Sequence, residues 1–302
     1  NKIQDSVKGE FKLAKRWLVE DGNEILEMSK EKNVVLLAYG DPYIATTHIE
    51  LRARAIENKI KTHSIHASSS LTSMIGECGL HFYKIGRIAT IMSEMKSLTT
   101  PYYVIYKNLI EGNHTVLLLE YNQDKKFFLD PKDALKGLLE TEQGQARKVI
   151  TESNYVIIAS RIGFKDQAIV SGKISSLKET EFGKPPHTII IPGRLHFTES
   201  DALKLFGKCV DEPFDNSEKT EKISNQMIKK YVPMVREALE EIEPLYKNQK
   251  EFEVILDNAE RYIKDAEIFL GEGRDENAIL SIGYADGLVD ALRLAKGLEF
   301  KM

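Results

Sequence analysis

The sequence predicts an α/β unit followed by an all-helical one, and three observations carry that prediction. Up to about residue 209, short apolar runs of strand length alternate with helical stretches; after residue 222 only helical periods remain. The charge changes sign at the same place. Residues 1–210 hold 29 Lys and Arg against 25 Asp and Glu, a balance of +4, while residues 211–302 hold 13 against 21, a balance of −8. Between the two, residues 210–222 (VDEPFDNSEKTEK) are polar, contain one proline and lack apolar rhythm, which reads as a linker.

Taken in order, residues 34–39 (VVLLAY) form a continuous apolar, β-branched run, as expected of a strand covered on both faces. The run enters Gly40-Asp41-Pro42, a turn signal, and passes Thr46 and Thr47 into a helical stretch over 48–58. That is one half of a strand–helix–strand unit. Residues 61–66 (KTHSIH) read as the next strand, with Ser68, Ser69 and Ser70 ahead of another helix. Further strands are predicted over 87–92, 114–121, 155–160 and 188–191, and helices over 102–111, 131–140, 174–180 and 199–207. In the second unit Ile223, Met227, Tyr231, Val235, Leu239 and Ile242 recur mostly every three or four residues. The same spacing returns over 252–270 and, after Gly271 and Gly273 break the helix, over 278–297. Three amphipathic helices with short joints predict an antiparallel bundle, most simply a docking or oligomerisation module.

Composition narrows the function. With 42% hydrophobic and 29% charged residues among 302, the chain is neither disordered nor fibrous, and its length suits about two domains. Cys78 and Cys209 are the only cysteines, which fits a reducing, cytoplasmic compartment and supplies no zinc framework. The longest apolar runs are too short to span a membrane, no signal peptide is legible, and an opening at Asn1 instead of Met reads as the later part of something longer. There is no Walker-type phosphate loop, HExxH or CxxC. Gly271-Glu272-Gly273 lacks a third glycine and follows a helix, so a dinucleotide reading fails. His63 and His66, three apart on a predicted strand, point to opposite faces, the wrong arrangement for a shared metal. The serine triplet lacks the glycines of a nucleophile turn. Metal-dependent and acyl-transfer chemistry therefore lose weight, and no metal is expected.

What remains are ligand positions with two readings each. Asp41, at the carboxyl end of a predicted strand, stands where α/β folds bind ligands and could accept bonds from hydroxyl or amino groups; equally, it could bond its own turn. Ser69 and Ser70 could offer hydroxyls and free amides to a ligand, or simply cap a helix. Pro185-Pro186-His187 reads as a rigid entry placing an imidazole at a cleft edge, or as a histidine satisfied by its own backbone.

Together these segments resemble one family. Gly40-Asp41-Pro42-Tyr43-Ile44-Ala45-Thr46-Thr47-His48, followed by Glu50-Leu51-Arg52, is similar to the GDP-x-x-ATTH-x-EL segment of diphthine synthases. His66-Ala67-Ser68-Ser69-Ser70, Gly79-Leu80-His81-Phe82-Tyr83-Lys84-Ile85-Gly86, Ser160-Arg161-Ile162-Gly163 and the stretch from Gly183 through Pro185-Pro186-His187 to Gly193-Arg194-Leu195-His196 agree in order and spacing, so the resemblance covers roughly residues 1–207. It implies a tetrapyrrole-methylase-like fold of two α/β subdomains, here about 1–97 and 98–209, with a linker at 210–222 and an all-α three-helix domain over 223–302. It also implies an S-adenosylmethionine-dependent methyltransferase, usually a homodimer, with translation elongation factor 2 as protein substrate. The methyl acceptor it implies is the amino group of the 3-amino-3-carboxypropyl chain on one histidine. Position by position it implies cofactor contacts from Asp41, Ile44, Ser70, Leu71, Leu119, Ile162 and His187.

The chain departs from that pattern in three places. Family members begin with a strand and a glycine-rich turn of the type F-I-G-x-G-L that helps hold the cofactor, whereas residues 1–17 align well past it. Residues 92–103 (MSEMKSLTTPYY) keep only the Tyr102-Tyr103 end of the family's acidic-aromatic loop. The tail lies outside the family, and its Tyr284-Ala285-Asp286-Gly287-Leu288-Val289-Asp290-Ala291-Leu292 resembles a small archaeal helical domain of unknown function. Two other readings stay open: a same-fold methyltransferase acting on another acceptor such as a tetrapyrrole, and a non-catalytic binding protein. No residue stands out as a catalytic base, so alignment of donor and amine is the expected means of catalysis.

Overall fold

A computed structural model describes residues 5, 7–122, 125–247 and 249–298. Three short helices come first: α1 (Arg16–Asp21), α2 (Asn23–Glu31) and α3 (His48–Glu57). Their Leu26, Leu51 and Ala55 form a small apolar cluster with Val19, Ile25, Leu36 and Ile60. Next come α4 (Ser70–Glu77), β1 (Ala89–Ile91), α5 (Thr99–Ile110), β2 (Thr115–Leu119), a hairpin of β3 (Tyr121–Asn122) and β4 (Phe127–Phe128), and α6 (Pro131–Gln145). β5 (Tyr155–Ser160), β6 (Ala168–Lys173), α7 (Ile174–Leu177), β7 (His187–Ile191), α8 (Phe197–Phe206) and β8 (Lys208–Cys209) complete the mixed part, and α9 (Ile223–Tyr246), α10 (Glu253–Gly271) and α11 (Asp275–Ala295) follow.

The main sheet has the order β1-β2-β7-β5-β6-β8, with the outermost pair at each edge parallel and the three inner pairs antiparallel. Side chains alternate between its faces, and helices cover both. Leu117, Val156, Ile158, Ile189 and Ile191 pack with Tyr102, Ile105, Leu138 and Leu177 of α5, α6 and α7. Val116, Tyr155, Ile157 and Ile190 pack with Met74, Ile75 and Leu203 of α4 and α8. Two-sided cover explains why all six residues of β5 are buried and why its sequence runs apolar without alternation. α6 starts where its cap dictates: the Asp130 carboxylate accepts the Lys132 amide at 2.8 Å, and Pro131 fills the first helical position, where an N–H would go unused.

Two predicted strands are absent. Residues 34–39 and 61–66 run extended but join no ladder, and Val35, Leu37, Tyr39 and Ile65 are 77%, 59%, 100% and 89% exposed. A parallel strand is stable only between neighbours, and among the described residues none pairs with either segment; Leu36 alone of the apolar run packs inward, beside Leu51. Gly40-Asp41-Pro42 therefore ends an exposed extended segment rather than a buried strand, and the opposite-face argument for His63 and His66 has no strand to rest on. β6, conversely, was not predicted; Ser171 and Gly172 dilute its apolar pattern.

The three C-terminal helices form as expected. In the first half of α9, however, the buried positions are Ile228 and Val232, one residue on from the predicted Met227 and Tyr231, which are exposed; from Val235 onward the predicted stripe is the buried one. Ile228, Val235, Leu239, Ile242, Ala259, Ile263, Ala266, Ala278, Ile282, Ala285, Val289 and Leu292 form one core among them. Residues 210–222, expected as a linker, are fastened to the sheet. The Asn216 side chain, 1% exposed, donates to the carbonyls of Tyr155 and Pro192 (2.8 and 2.7 Å) and accepts the Tyr155 amide (2.9 Å). Asp211 accepts the Lys173 amide at 2.8 Å.

Candidate functional site

Asp41 is locked in its turn. Its Oδ1 accepts the Tyr43 amide at 2.9 Å and its Oδ2 accepts His66 Nδ1–H at 2.7 Å. The Tyr43 amide, and then His66, hold the carboxyl below its ordinary range, so it is an anion with lone pairs to spare. The local turn bond is thus present, and it coexists with a carboxylate able to take more donors. Gly40 has φ +75°, a conformation that suits glycine, and a Cβ there would stand 3.5 Å from the Ser68 carbonyl oxygen. The turn therefore lies against the start of α4. There Ser69 is the cap, accepting the Leu71 amide at 3.2 Å; Ser70 is exposed and Leu71 buried. Ile44 shares the Asp41 turn and is 39% exposed.

The other predicted positions gather at one end of the sheet. β7 pairs with β5 so that His187 faces Ser160, and its register with β2, continued by one residue, sets Leu119 on the other side of His187. All three share the face of Leu117, Ile158 and Ile189, so Leu119, His187 and Ser160 make one lateral row. His187 Nε2–H donates to the Gly183 carbonyl at 3.2 Å. Ile162 follows just past the end of β5, where Arg161, at φ +51°, donates its amide to the Pro186 carbonyl (3.0 Å) and its guanidinium to the Pro185 carbonyl (3.3 Å). Ile162 then packs on the cluster that contains Leu71. Ser160 itself, 1% exposed, has a hydroxyl with no hydrogen-bond partner among the described residues.

One group was not legible beforehand. Glu199 of α8 is fully buried and accepts His114 Nε2–H (2.9 Å), the amides of His81 and His196 (2.8 Å each) and the Lys84 ammonium (2.5 Å). Burial pushes its carboxyl up, but His114, the two amides and Lys84 outweigh that and hold it well below the carboxylate range. His114 accepts the Gly193 amide on Nδ1 at 2.9 Å, which fixes the tautomer with its proton on Nε2. The motif residues His81, Lys84 and His196 thus converge on one buried anion, and Gly193 reaches it through His114. The resemblance contains all four but not the acid that joins them.

Comparison with known proteins gives the family and the fold. The family model described as Tetrapyrrole (Corrin/Porphyrin) Methylases matches residues 6–178, and one described as protein of unknown function (DUF357) matches residues 230–298. Diphthine synthase of Methanococcus vannielii is 37% identical over 206 residues, covering 67% of this chain and 80% of that protein. The diphthine synthase of Methanocaldococcus jannaschii is 37% identical over 196 residues, covering 64% and 76%. A crystal structure of diphthine synthase superposes with a TM-score of 0.58 at 30% identity, over 65% of this chain and 74% of that one. A methylase model spanning more than half of the residues, and relatives of this identity matched over most of their own length, show that the chain belongs to the diphthine synthases, methyltransferases of diphthamide biosynthesis with the tetrapyrrole methylase fold.

Proposed function

We propose that this chain, as a cytoplasmic homodimer, transfers methyl groups from S-adenosylmethionine to the amino group of the 3-amino-3-carboxypropyl chain on one histidine of translation elongation factor 2. The observation that carries the reading is the row of Leu119, His187 and Ser160 at one end of the sheet. A fully buried hydroxyl left without a partner beside an imidazole is what a site retains for a ligand's polar edge. The residues that would hold the cofactor are Asp41, Ile44, Ser70, Leu71, Leu119, Ile162 and His187. When bound, S-adenosylmethionine supplies an electrophilic methyl group.

The chain's own contribution is orientation and exclusion of water. Asp41, kept anionic by Tyr43 and His66, accepts from hydroxyl or amino groups, and its two fixed bonds aim it. Leu71, Leu119 and Ile162 supply the apolar walls that keep water from the reacting amine. Isothermal calorimetry tests the reading: the chain binds S-adenosylmethionine, Asp41→Ala reduces binding beyond detection, and labelled methyl groups then appear on elongation factor 2. Undiminished binding in Asp41→Ala defeats the site assignment, and binding without transfer to elongation factor 2 defeats the substrate.

A further inference from the structure

α11 has two apolar faces, with its mid-helix charges, Asp286, Asp290 and Arg293, half-buried along one side between them. Its inner face, with Ala278, Ile282, Ala285, Val289 and Leu292, is buried against α9 and α10. Its outer face is not covered. Between residues 279 and 295 the exposed positions are Ile279, Leu280, Gly283, Tyr284, Gly287, Ala291, Leu294 and Ala295, without one charged side chain, and Leu280, Tyr284 and Leu294 are 72%, 55% and 68% exposed. A helix whose only task is to close a three-helix bundle has a charged outer face; α11 instead keeps its charges to one side and presents a contiguous apolar strip outward, as an interaction face does. α9 and α10 follow the first pattern, with Glu237, Glu240 and Glu241 on α9 and Glu260, Arg261 and Lys264 on α10 facing water.

The outer face is also nearly symmetrical about its middle. Leu280 and Leu294 lie seven residues before and after Gly287, and Gly283 and Ala291 four before and after it. A Cβ at Gly287 would meet nothing within 4 Å, so a second backbone can approach there. The charges that flank the apolar stretch are opposite, with Glu276 in the first turn and Lys296 just past the last. An identical helix laid antiparallel across Gly287 sets leucine on leucine, small residue on small residue, and Glu276 within about two residues of the other copy's Lys296, with opposed helix dipoles.

We propose that α11 docks on a second copy of this chain, the two helices antiparallel and crossing at Gly287. The inference is independent of methyl transfer, since α11 lies outside the residues matched by the methylase model.

Cysteine pairing tests it. Leu280 and Leu294 are fourteen residues apart, about 21 Å along a helix at 1.5 Å per residue, so antiparallel docking brings an L280C thiol close to an L294C thiol of the other copy and keeps like thiols far apart. Both single variants are made in a Cys209→Ser background; Cys78 is buried, which pushes its thiol up to about 12 and removes it from competition. Both substituted side chains are solvent-facing, and matching circular dichroism spectra check that the variants fold. With a short bismaleimide, the mixture of the two variants is expected to give covalent dimer and each variant alone to give none. A second prediction is that Leu280→Glu together with Leu294→Glu abolishes this contact, read as loss of crosslinking when each charge is added to the cysteine variants. Crosslinking of L280C with itself overturns the antiparallel arrangement. No covalent dimer in the mixture, with both variants folded, overturns a second copy as the occupant.

Discussion

Ser160 and Glu199 are buried polar groups with opposite fates. The Ser160 hydroxyl lacks a partner, so removing it costs the unliganded fold little: Ser160→Ala should leave the melting temperature unchanged or slightly raised. If the row beside His187 receives the cofactor, the same variant should weaken S-adenosylmethionine binding roughly tenfold, the worth of about one hydrogen bond. A variant that binds the cofactor with unchanged affinity places the hydroxyl outside the site. Glu199 is the reverse case, fully paired and fully buried. Truncating it in Glu199→Ala leaves the Lys84 charge and the His114 donor facing an apolar gap, at a cost of about 3–5 kcal/mol in denaturant unfolding. Its carboxyl is lowered in the fold from an ordinary value of 4.5. The stabilisation it gives is therefore complete above that value and is lost as pH falls through and below it. Stability should drop on acidification more steeply in the parent chain than in Glu199→Gln, which has no proton to take up; parallel acid limbs would show that this carboxyl does not carry the acid sensitivity.

Elements whose stabilising neighbours lie within their own sequence neighbourhood were readable in advance. α9 from Val235 onward, α10 and α11 show their buried stripe as a period, β5 shows its double burial as an unbroken apolar run, and α6 shows its start as Asp130-Pro131. The failures share a cause, because a strand is defined by what lies beside it. Residues 34–39 have the composition of a central strand and no ladder, while β6 has a diluted composition and two flanking strands, β5 and β8. Of the candidate site, Asp41 and the Ser69–Leu71 helix start were legible because turn and cap chemistry is local. The row of Leu119, His187 and Ser160 depends on the registers of three strands: His187 stands out beside its proline pair, Leu119 only through the family resemblance, and Ser160 is not among the expected contacts. Asn216 lies beyond either route, since it sits in a polar stretch that looks like a linker and acts on Tyr155 from 61 residues away. Asn216→Ala should strip the Tyr155 amide and carbonyl of their bonds inside the core and destabilise the mixed unit by about 2–4 kcal/mol in urea unfolding. A loss below about 0.5 kcal/mol would mean that the segment merely rests on the sheet.

At the scale of the whole molecule, the two cores have no residue in common, and hydrogen bonds tie one to the other. Tyr106 Oη accepts the Ile223 amide at 2.9 Å, and Gln226 donates to the Arg147 carbonyl at 2.9 Å. A few such bonds, each worth about 1 kcal/mol, cannot make two cores of this size melt as one. The opposite net charges of the two units add little, since exposed charges more than about 8–10 Å apart are screened at physiological salt. Methyl transfer and helix docking should therefore be separable by a single core substitution. Ala285, fully buried at the centre of α11, is the place to make it, because Ala285→Asp puts an unpaired carboxylate among Ile282, Val289 and their neighbours. The expected outcome is loss of the far-ultraviolet dichroism contributed by helices of 24, 19 and 21 residues. The second unit's docking should fail with it, while calorimetry finds S-adenosylmethionine affinity within about twofold of the parent chain, well under the tenfold that 1.4 kcal/mol represents. A tenfold loss of affinity would instead mean that the appended helices hold the methylase in its binding form, and the two units would then have to be understood as one machine.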